Sequence, residues 1–163
     1  MIPVFLQDDL KKRLKILFEG QFFDNPDQQR VPLQVFKQHL PIIDSSEEEA
    51  EADDLSLYPY ILVKLQQGIQ ESWDSPLKVS VDLVIGVFNE DPDRKGYQDV
   101  IGILQRIQSD FLSEPNMEKQ FGLSSPPNWM IHDEDLHPFY FGGMELHFEQ
   151  GINIIRKDVN LLL

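Results

Sequence analysis

The chain has 163 residues, 41% of them hydrophobic and 26% charged, and 28 acidic against 14 basic side chains give a formal net charge of −14 at pH 7. This length and composition predict one globular domain over residues 1–163, and no apolar run approaches the roughly 20 residues of a membrane span. The absence of cysteine excludes disulfides and thiolate metal sites. Because clustered cations are scarce, static nucleic-acid binding is disfavoured.

The first predicted element is a helix from Gln7 to Glu19. Acidic residues occupy its first turn, and Gly20 follows directly after its end, as is typical of a helix terminus. Its apolar residues recur at helical spacing and form one stripe: Leu10, Leu14, Leu17 and Phe18. The pattern therefore predicts an amphipathic helix that packs on a core.

The region that follows has no sustained period. Three prolines interrupt it, although the stretch from Val31 to Phe36 could form a short edge strand. Asp44 to Asp54 is then a block of acidic residues, DSSEEEAEADD, whose like charges repel and cannot be buried. We expect this acidic loop to be solvated, and a contact surface for a basic partner is the alternative.

Two strands in the middle of the chain are predicted to form a hairpin. The stronger signal is a strict alternation that gives a central strand one fully apolar face: Val79, Val81, Leu83, Ile85 and Val87. Val84 and Phe88 are apolar on its other face, which we expect to be partly covered. A second strand runs from Tyr58 to Leu65, with Pro59 at its start, and the polar segment from Gln66 to Pro76 is the loop that joins the two.

A second helix is predicted from Tyr97 to Leu112, after a turn that contains Pro92 and Gly96. Its main stripe is Val100, Leu104, Ile107 and Phe111, reinforced by Ile101, Ile103 and Leu112. This spacing indicates an amphipathic helix lying across the sheet.

The last third of the chain predicts two more strands. After an irregular connection that ends in a double proline, Asn128 to His132 forms a third strand, with Trp129 on the same side as Ile131. An aromatic turn leads to a strand from Phe141 to Gln150. Its inward residues are Met144, Leu146 and Phe148, and its outward residues are Glu145, His147 and Glu149. The apolar tail, residues 151–163, is expected to add an edge strand or to dock on another surface.

These elements predict an α+β fold. At least four strands form a largely antiparallel or mixed sheet, which two main helices flank. A doubly wound dinucleotide fold is disfavoured, because helices do not separate the strands and the chain has neither a GxGxxG nor a Walker sequence.

One cluster has the composition of a metal site. His132, Asp133, Glu134, Asp135 and His137 place two imidazoles and three carboxylates within six residues. However, the histidines lack helical i, i+4 spacing, and successive side chains in a turn point in different directions. We therefore expect a solvated turn and assign no catalytic, metal-binding or cofactor-binding residue, with a metal-dependent hydrolase as the rival hypothesis.

Four stretches of the sequence together resemble a known family. They are VFKQHLPI (35–42), YPYILVKLQQG (58–68), VSVDLVIGVFNED with GYQDVIGILQRI (79–107), and WMIHDEDLHPFYFGGMELHFEQ (129–150). In these strings the chain resembles the tail terminator, or tail completion, proteins of long-tailed bacteriophages and prophages. The strings lie in core and turn positions, and the acidic loop lies outside the resemblance.

The resemblance implies a structural virion protein of the tail-neck region. Such a subunit joins a hexameric homo-oligomeric ring that caps the tail tube protein and offers a docking surface to the head–tail connector or neck protein, and DNA passes through without specific binding. No cofactor, membrane or enzymatic activity is implied. A neck or head–tail adaptor is the close alternative, and the rivals of other classes are the hydrolase and an acidic DNA mimic that presents residues 44–54.

Ring formation needs exposed apolar surface, and the sequence offers three pieces of it. Trp73 lies in the long hairpin loop, and Trp129 follows the double proline. Both tryptophans could stack on a ligand, but core or interface packing is the favoured interpretation. The third piece is the end of the tail. The predicted interface residues are Trp73, Trp129, Leu161, Leu162 and Leu163.

Overall fold

A computed structural model describes residues 2–41, 55–118 and 120–151. The elements in chain order are α1 (Ile2–Leu17), β1 (Phe22–Asp24), β2 (Arg30–Pro32), β3 (Gln34–Lys37), β4 (Tyr60–Ile69), β5 (Lys78–Phe88), α2 (Gly96–Ser113), β6 (Phe121–Leu123), β7 (Asn128–Ile131) and β8 (Phe139–Gln150). A short 3₁₀ turn at Leu55–Leu57 precedes β4. The predicted acidic loop at Asp44 to Asp54 and the predicted tail contacts at Leu161, Leu162 and Leu163 lie outside the described residues.

The described strands form a six-stranded sheet and a separate small hairpin. The sheet order is β3-β4-β5-β8, with β6 and β7 both pairing with the far side of β8. Only β3 and β4 are parallel, and the other neighbours in this sheet run antiparallel. β1 and β2 form the hairpin. The predicted α+β class, with a mixed and largely antiparallel sheet and two helices, is therefore confirmed.

Both helices pack on one face of this sheet, and the main core lies between them. The register places Val81 of β5 opposite Leu146 of β8 and Leu65 of β4, so the inward residues of three strands form continuous rows. Leu10 and Leu14 of α1 meet these rows, and the α2 stripe joins the same cluster. The predicted inward residues of β5 and β8 are all buried, which confirms the assigned phase of both strands.

Each helix packs its predicted apolar stripe on the core, and each differs from the prediction in one respect. α1 begins at Ile2, five residues before the predicted start; Pro3 does not prevent this, because proline is tolerated in a first helical turn. α2 closely matches the prediction, but Leu112 is 60% exposed and does not reinforce the buried stripe. Successive helical residues point about 100° apart, so Leu112 is turned away when Phe111 faces the core.

The observed strand boundaries differ more from the predicted ones. β4 continues to Ile69, four residues beyond the predicted end, and β8 begins at Phe139, two residues early. The segment from Val31 to Phe36 divides between β2 and β3, and only β3 borders the main sheet. The connection expected to be irregular contains β6, and β1 was not predicted. Strands of three residues are too short to show an alternating pattern.

Arg13 fixes the first helix against the end of the second. Its Nε donates to the Asp110 carboxylate at 2.8 Å, and its guanidinium also donates to the backbone carbonyls of Asp110, Glu114 and Asn116 at 2.5 to 3.3 Å. The guanidinium carbon lies 4.1 Å from the centre of the Phe111 ring. A cation at a helix C-terminus meets both the unpaired carbonyls and the negative end of the helix dipole.

Candidate interaction surfaces

The second face of the sheet, opposite the helices, is the first candidate interaction surface. No α-helix among residues 2–41, 55–118 and 120–151 packs on it, and the 3₁₀ turn contributes only Leu57. The face carries Val84 and Phe88 of β5 together with their cross-strand partners. Phe88 is buried and Val84 is half-buried, so the expected partial cover of this face is confirmed.

An aromatic cluster occupies one half of this face. It consists of Phe36, Leu62 and Val84 around the rings of Tyr58, Tyr60, Phe88, Phe139 and Phe141. Tyr58 lies at its centre, with its ring centroid 4.9 Å from that of Phe139 and 5.2 Å from that of Tyr60. Burial, together with the neighbouring Tyr58, raises the pKa of Tyr60. Tyr58, Phe139 and Phe141 are half-buried, so each retains some accessible surface on this face.

A polar row occupies the other half. Lys64, Asp82 and Glu145 lie side by side in the register of β4, β5 and β8. Burial and the facing carboxylate of Glu145 raise the pKa of Asp82, and Lys64 opposes that shift. The next position on β8 that faces the same side is His147, whose Nε2 lies 3.7 Å from a Glu145 oxygen. The face therefore combines an aromatic half with a charged half, as in interfaces that have an apolar centre and a polar rim.

The hairpin between β4 and β5 is the second candidate surface. Trp73 lies in its connecting loop and is 99% exposed. The loop is held by a hydrogen bond between the Ser72 and Ser75 hydroxyls at 2.6 Å and by a Lys78 to Glu71 ion pair at 3.2 Å. Core packing of Trp73 is thus excluded, and its role at an interface stays a prediction.

The outer strand β7 carries the other predicted tryptophan. Trp129 is 41% exposed although it pairs with the buried Met144, and its neighbour Met130 is 60% exposed. β7 is only four residues long, and among the described residues it pairs with β8 alone. Trp129 therefore lies at a sheet border and not in the core, where an interface role for it also stays a prediction.

The aspartate and histidine cluster forms a turn between β7 and β8. Asp135 forms an ion pair with Arg94 and accepts a hydrogen bond from the backbone N–H of His137 at 3.3 Å, and this N–H, helped by Arg94, lowers the pKa of Asp135. His137 Nδ1 lies 2.7 Å from the Tyr140 hydroxyl, while His132 faces Glu134 at 3.5 Å. These side chains thus point to separate partners. In the part of the chain that the structure describes, no three His, Asp or Glu side chains are placed to hold one metal ion.

Sequence reasoning missed the aromatic cluster as a unit. Its members come from β3, the residue before Pro59, and β4, β5 and β8, so no single stretch displays it. The signal that could have revealed it is which side chains of each strand face inward and which face outward. Once Val81 and Leu146 are assigned inward, alternation places Phe88, Phe139 and Phe141 together on the outer face.

The chain was compared with models of known protein families and with curated proteins, and neither comparison gives a match. None of the described helices is long and apolar enough to cross a membrane. The sequence resemblance and the surfaces described above are therefore the basis for a functional proposal.

Proposed function

We propose that this chain is a structural virion subunit of the tail terminator type, which forms a hexameric ring that caps a phage tail tube and offers a docking surface to the head connector. The observation that carries the proposal is the second sheet face, where Tyr58, Phe139 and Phe141 are half-buried and no described α-helix covers them. The sequence resemblance gives the proposal its family and its partners.

The chemistry of the aromatic cluster favours a protein partner. Large rigid rings bury much surface at low entropic cost and are enriched at the centres of protein interfaces. The adjacent polar row, Lys64 with Asp82 and Glu145, supplies the polar rim that such centres have. This combination supports an assembly subunit more directly than it supports a small-molecule enzyme.

The net negative charge of the chain supports a ring position around a channel through which DNA passes. A net charge of −14 on each subunit would give a strongly acidic ring. Cationic linings hold phosphates by releasing counterions, whereas acidic surfaces let DNA pass without binding. A virion location at the tail-neck junction is part of this proposal.

A neck or head–tail adaptor of the same particle is the second candidate function, because it shares the size, charge and ring symmetry of a terminator. The same face and charge support it equally. Position in the particle separates the two: a terminator binds the end of purified tail tubes, whereas an adaptor binds the head connector and leaves tubes uncapped. Electron microscopy of the protein mixed with purified tail tubes, and of the protein mixed with head connectors, shows which of the two it binds.

The proposal is tested first by the mass and shape of the purified protein. Light scattering should give about six times the mass of one chain, and electron microscopy should show closed rings. A Phe141→Gln variant should remain folded by circular dichroism but lose rings, because it places a polar amide in the aromatic cluster. Leu112→Gln is the matched control, since Leu112 is exposed on α2 on the other side of the sheet. A native protein that stays monomeric at high concentration would overturn the proposal.

A further inference from the structure

We propose that a groove between α1 and the end of α2, the helix groove, binds residues 152–158 of its own chain, the first part of the tail. The helix groove has a volume of about 480 Å³. Its lining includes Lys12 and Ile16 on the α1 side, and Glu114, Met117 and Glu118 on the α2 side. The proposed contact lies within one subunit, so it does not depend on the proposed ring.

Apolar side chains supply part of the lining of the helix groove. Ile16 is 61% exposed, Leu17 is half-buried, and Met117 lies beneath the surface. Covering such apolar surface removes it from water and is therefore favourable. An occupant of the helix groove gains stability there if it brings apolar side chains of its own.

The charges of the lining favour a cationic occupant. Among the described residues, four carboxylates and two cations line the helix groove. Arg13, one of the cations, already forms an ion pair with Asp110 at 2.8 Å. On the α2 side Glu114 and Glu118 are both exposed, whereas Lys12 is the remaining cation on the α1 side. An occupant with positive charge facing α2 therefore complements the helix groove.

The last described residue, Gly151, lies close to the helix groove. Its backbone N–H donates to the Gln120 carbonyl at 2.9 Å, and the preceding residue, Gln150, pairs with Phe121 of β6. On the opposite edge of β6, the Met117 N–H donates to the Phe121 carbonyl at 2.8 Å. Met117 is thus two strand spacings, about 10 Å, from Gln150. Residues 152–158 therefore start next to the groove that Met117 lines.

The nearest sheet edge is already occupied, which disfavours an added edge strand at this position. The Leu123 N–H donates to the Pro115 carbonyl at 2.9 Å, so the segment from Pro115 to Met117 lies along the outer edge of β6. Gly151 has a φ of +90°, a conformation that glycine adopts readily, and it turns the chain away from the line of β8. The helix groove is then the adjacent surface that can receive the residues after Gly151.

The sequence of residues 152–158, INIIRKD, matches both properties of the helix groove. Three isoleucines precede Arg156 and Lys157, a pair of cations in a chain that has twice as many acidic as basic residues. These two cations complement the carboxylates on the α2 side, and Asp158 complements Lys12 on the α1 side. Five extended residues separate Gly151 from Arg156 by up to about 17 Å, which exceeds the distance of about 10 Å to Met117.

Carbodiimide cross-linking of the native chain gives a direct test. The reagent joins a lysine amine to a carboxylate as an amide, with loss of water, where the two groups are in contact. We expect peptide mass spectrometry to find Lys157 linked to Glu114 or Glu118. Native and ¹⁵N-labelled chains are refolded together, so that any assembly contains both, and the links should join peptides with the same label. Links that mainly join a labelled to an unlabelled peptide would overturn the placement within one chain.

The rate of trypsin cleavage after Arg156 and Lys157 gives an independent readout, because a bound segment is protected from the protease. Replacing Glu114 and Glu118 together by Gln removes two ion pairs and should speed this cleavage about three- to tenfold. The matched control replaces Glu71 and Glu90 by Gln, since both are exposed and neither lines the helix groove. The control should leave the cleavage rate unchanged.

A second pair of variants tests the apolar part of the contact. Ile16→Gln places an amide in the lining of the helix groove and should also speed cleavage after Arg156 and Lys157. Leu112→Gln is the control, because Leu112 is 60% exposed, almost as much as Ile16, but does not line the groove. Both substituted side chains are exposed, so circular dichroism should show an unchanged fold in each variant.

The outcomes separate this contact from the proposed ring. If Lys157 links to neither Glu114 nor Glu118, and the groove variants are cleaved at the parent rate, the contact is wrong even where rings form. If native protein stays monomeric but shows these links within one chain, the ring proposal fails and the contact stands. Same-label links together with faster cleavage in the groove variants alone support the contact.

Discussion

The ring of Tyr60 lies directly over the backbone of Gly86 on the neighbouring strand. A Cβ atom added at Gly86 would stand 2.5 Å from the Tyr60 Cε1 atom and 2.6 Å from Cζ. The two residues are cross-strand partners on the second sheet face, and Tyr60 contacts the central ring of Tyr58. The glycine thus makes room for the aromatic cluster, so the cluster depends on the absence of one methyl group.

Replacing Gly86 by Ala should therefore destabilise the protein. The added methyl group forces the Tyr60 ring, and the rings packed on it, out of place, at a cost of about 1 to 3 kcal/mol. Urea unfolding followed by circular dichroism measures this change in the free energy of unfolding.

Gly68→Ala is the matched control, because Gly68 also lies in a strand of the same hairpin. The nearest side-chain atom to an added Cβ there is Leu77 Cδ1 at 3.8 Å, an ordinary contact. This variant should be neutral or slightly more stable, since alanine loses less backbone entropy on folding than glycine. Equal destabilisation by both substitutions would show that the Tyr60 ring is not the cause.

Arg13→Lys tests the link between the two helices. Lysine keeps the positive charge but cannot reproduce the planar set of donors that reaches Asp110 and the carbonyls at the end of α2. We expect a loss of about 1 to 3 kcal/mol in the free energy of unfolding, measured by urea unfolding. Arg30→Lys is the control, because its ion pair with Asp24 is more than half exposed on both sides and should contribute less than about 1 kcal/mol. Similar losses for the two variants would contradict the structural role of Arg13.

Asp82→Asn should stabilise the protein at neutral pH. The pKa of Asp82 is raised above 3.8, first by burial and then by Glu145, so the folded state binds a proton more readily than the unfolded state. The raised pKa therefore lowers the free energy of unfolding at neutral pH. This loss of stability is absent below pH 3.8, grows as the pH rises through the raised pKa, and is complete above it. For a partly exposed like-charge pair across strands we expect a gain of about 0.2 to 1 kcal/mol at pH 7.

The check is thermal unfolding of both proteins from pH 7 down toward pH 3.5, where the advantage of Asp82→Asn should disappear. Asp135→Asn provides a control of opposite sign. The pKa of Asp135 is lowered, so its charged form contributes stability above pH 3.8 that is lost as the pH falls through the lowered pKa. An Asp82→Asn advantage that persists unchanged at low pH would rule out the charge as its source.

Long periodic elements could be predicted from sequence because burial imposes their period. In β5 and α2 one face must be apolar along its whole length, and the predicted inward residues, Val81 and Leu83 among them, are fully buried. Short elements are too brief to show such a periodic apolar pattern. β6 has three residues with a glycine in the middle, and it forms because β8 is long enough to pair with it.

Surface features could be predicted only in part. The exposure of Trp73 depends on β4 continuing to Ile69, and residues 66–69 have no apolar alternation because this end of the strand faces solvent. The packing of α1 against the end of α2 depends on Arg13, whose hydrogen-bond partners Asp110, Glu114 and Asn116 lie 97 to 103 positions away in the sequence. Contacts at that separation leave no local pattern in a single sequence.

The turn between β7 and β8 gives the last prediction. Replacing His132, Asp135 and His137 together by Asn, Asn and Gln should leave the fold and ring formation nearly unchanged. The ion pair of Asp135 with Arg94 is more than half exposed on both sides, and such solvent-exposed pairs contribute little to stability. Glutamine at position 137 can also still bond the Tyr140 hydroxyl. A melting temperature within a few degrees of the parent and an unchanged mass by light scattering are the expected results, and the proposed function adds an unchanged phage yield. The metal-dependent hydrolase would instead require the parent to carry stoichiometric bound metal, measured by elemental analysis, and the triple variant to lose that metal together with infectivity.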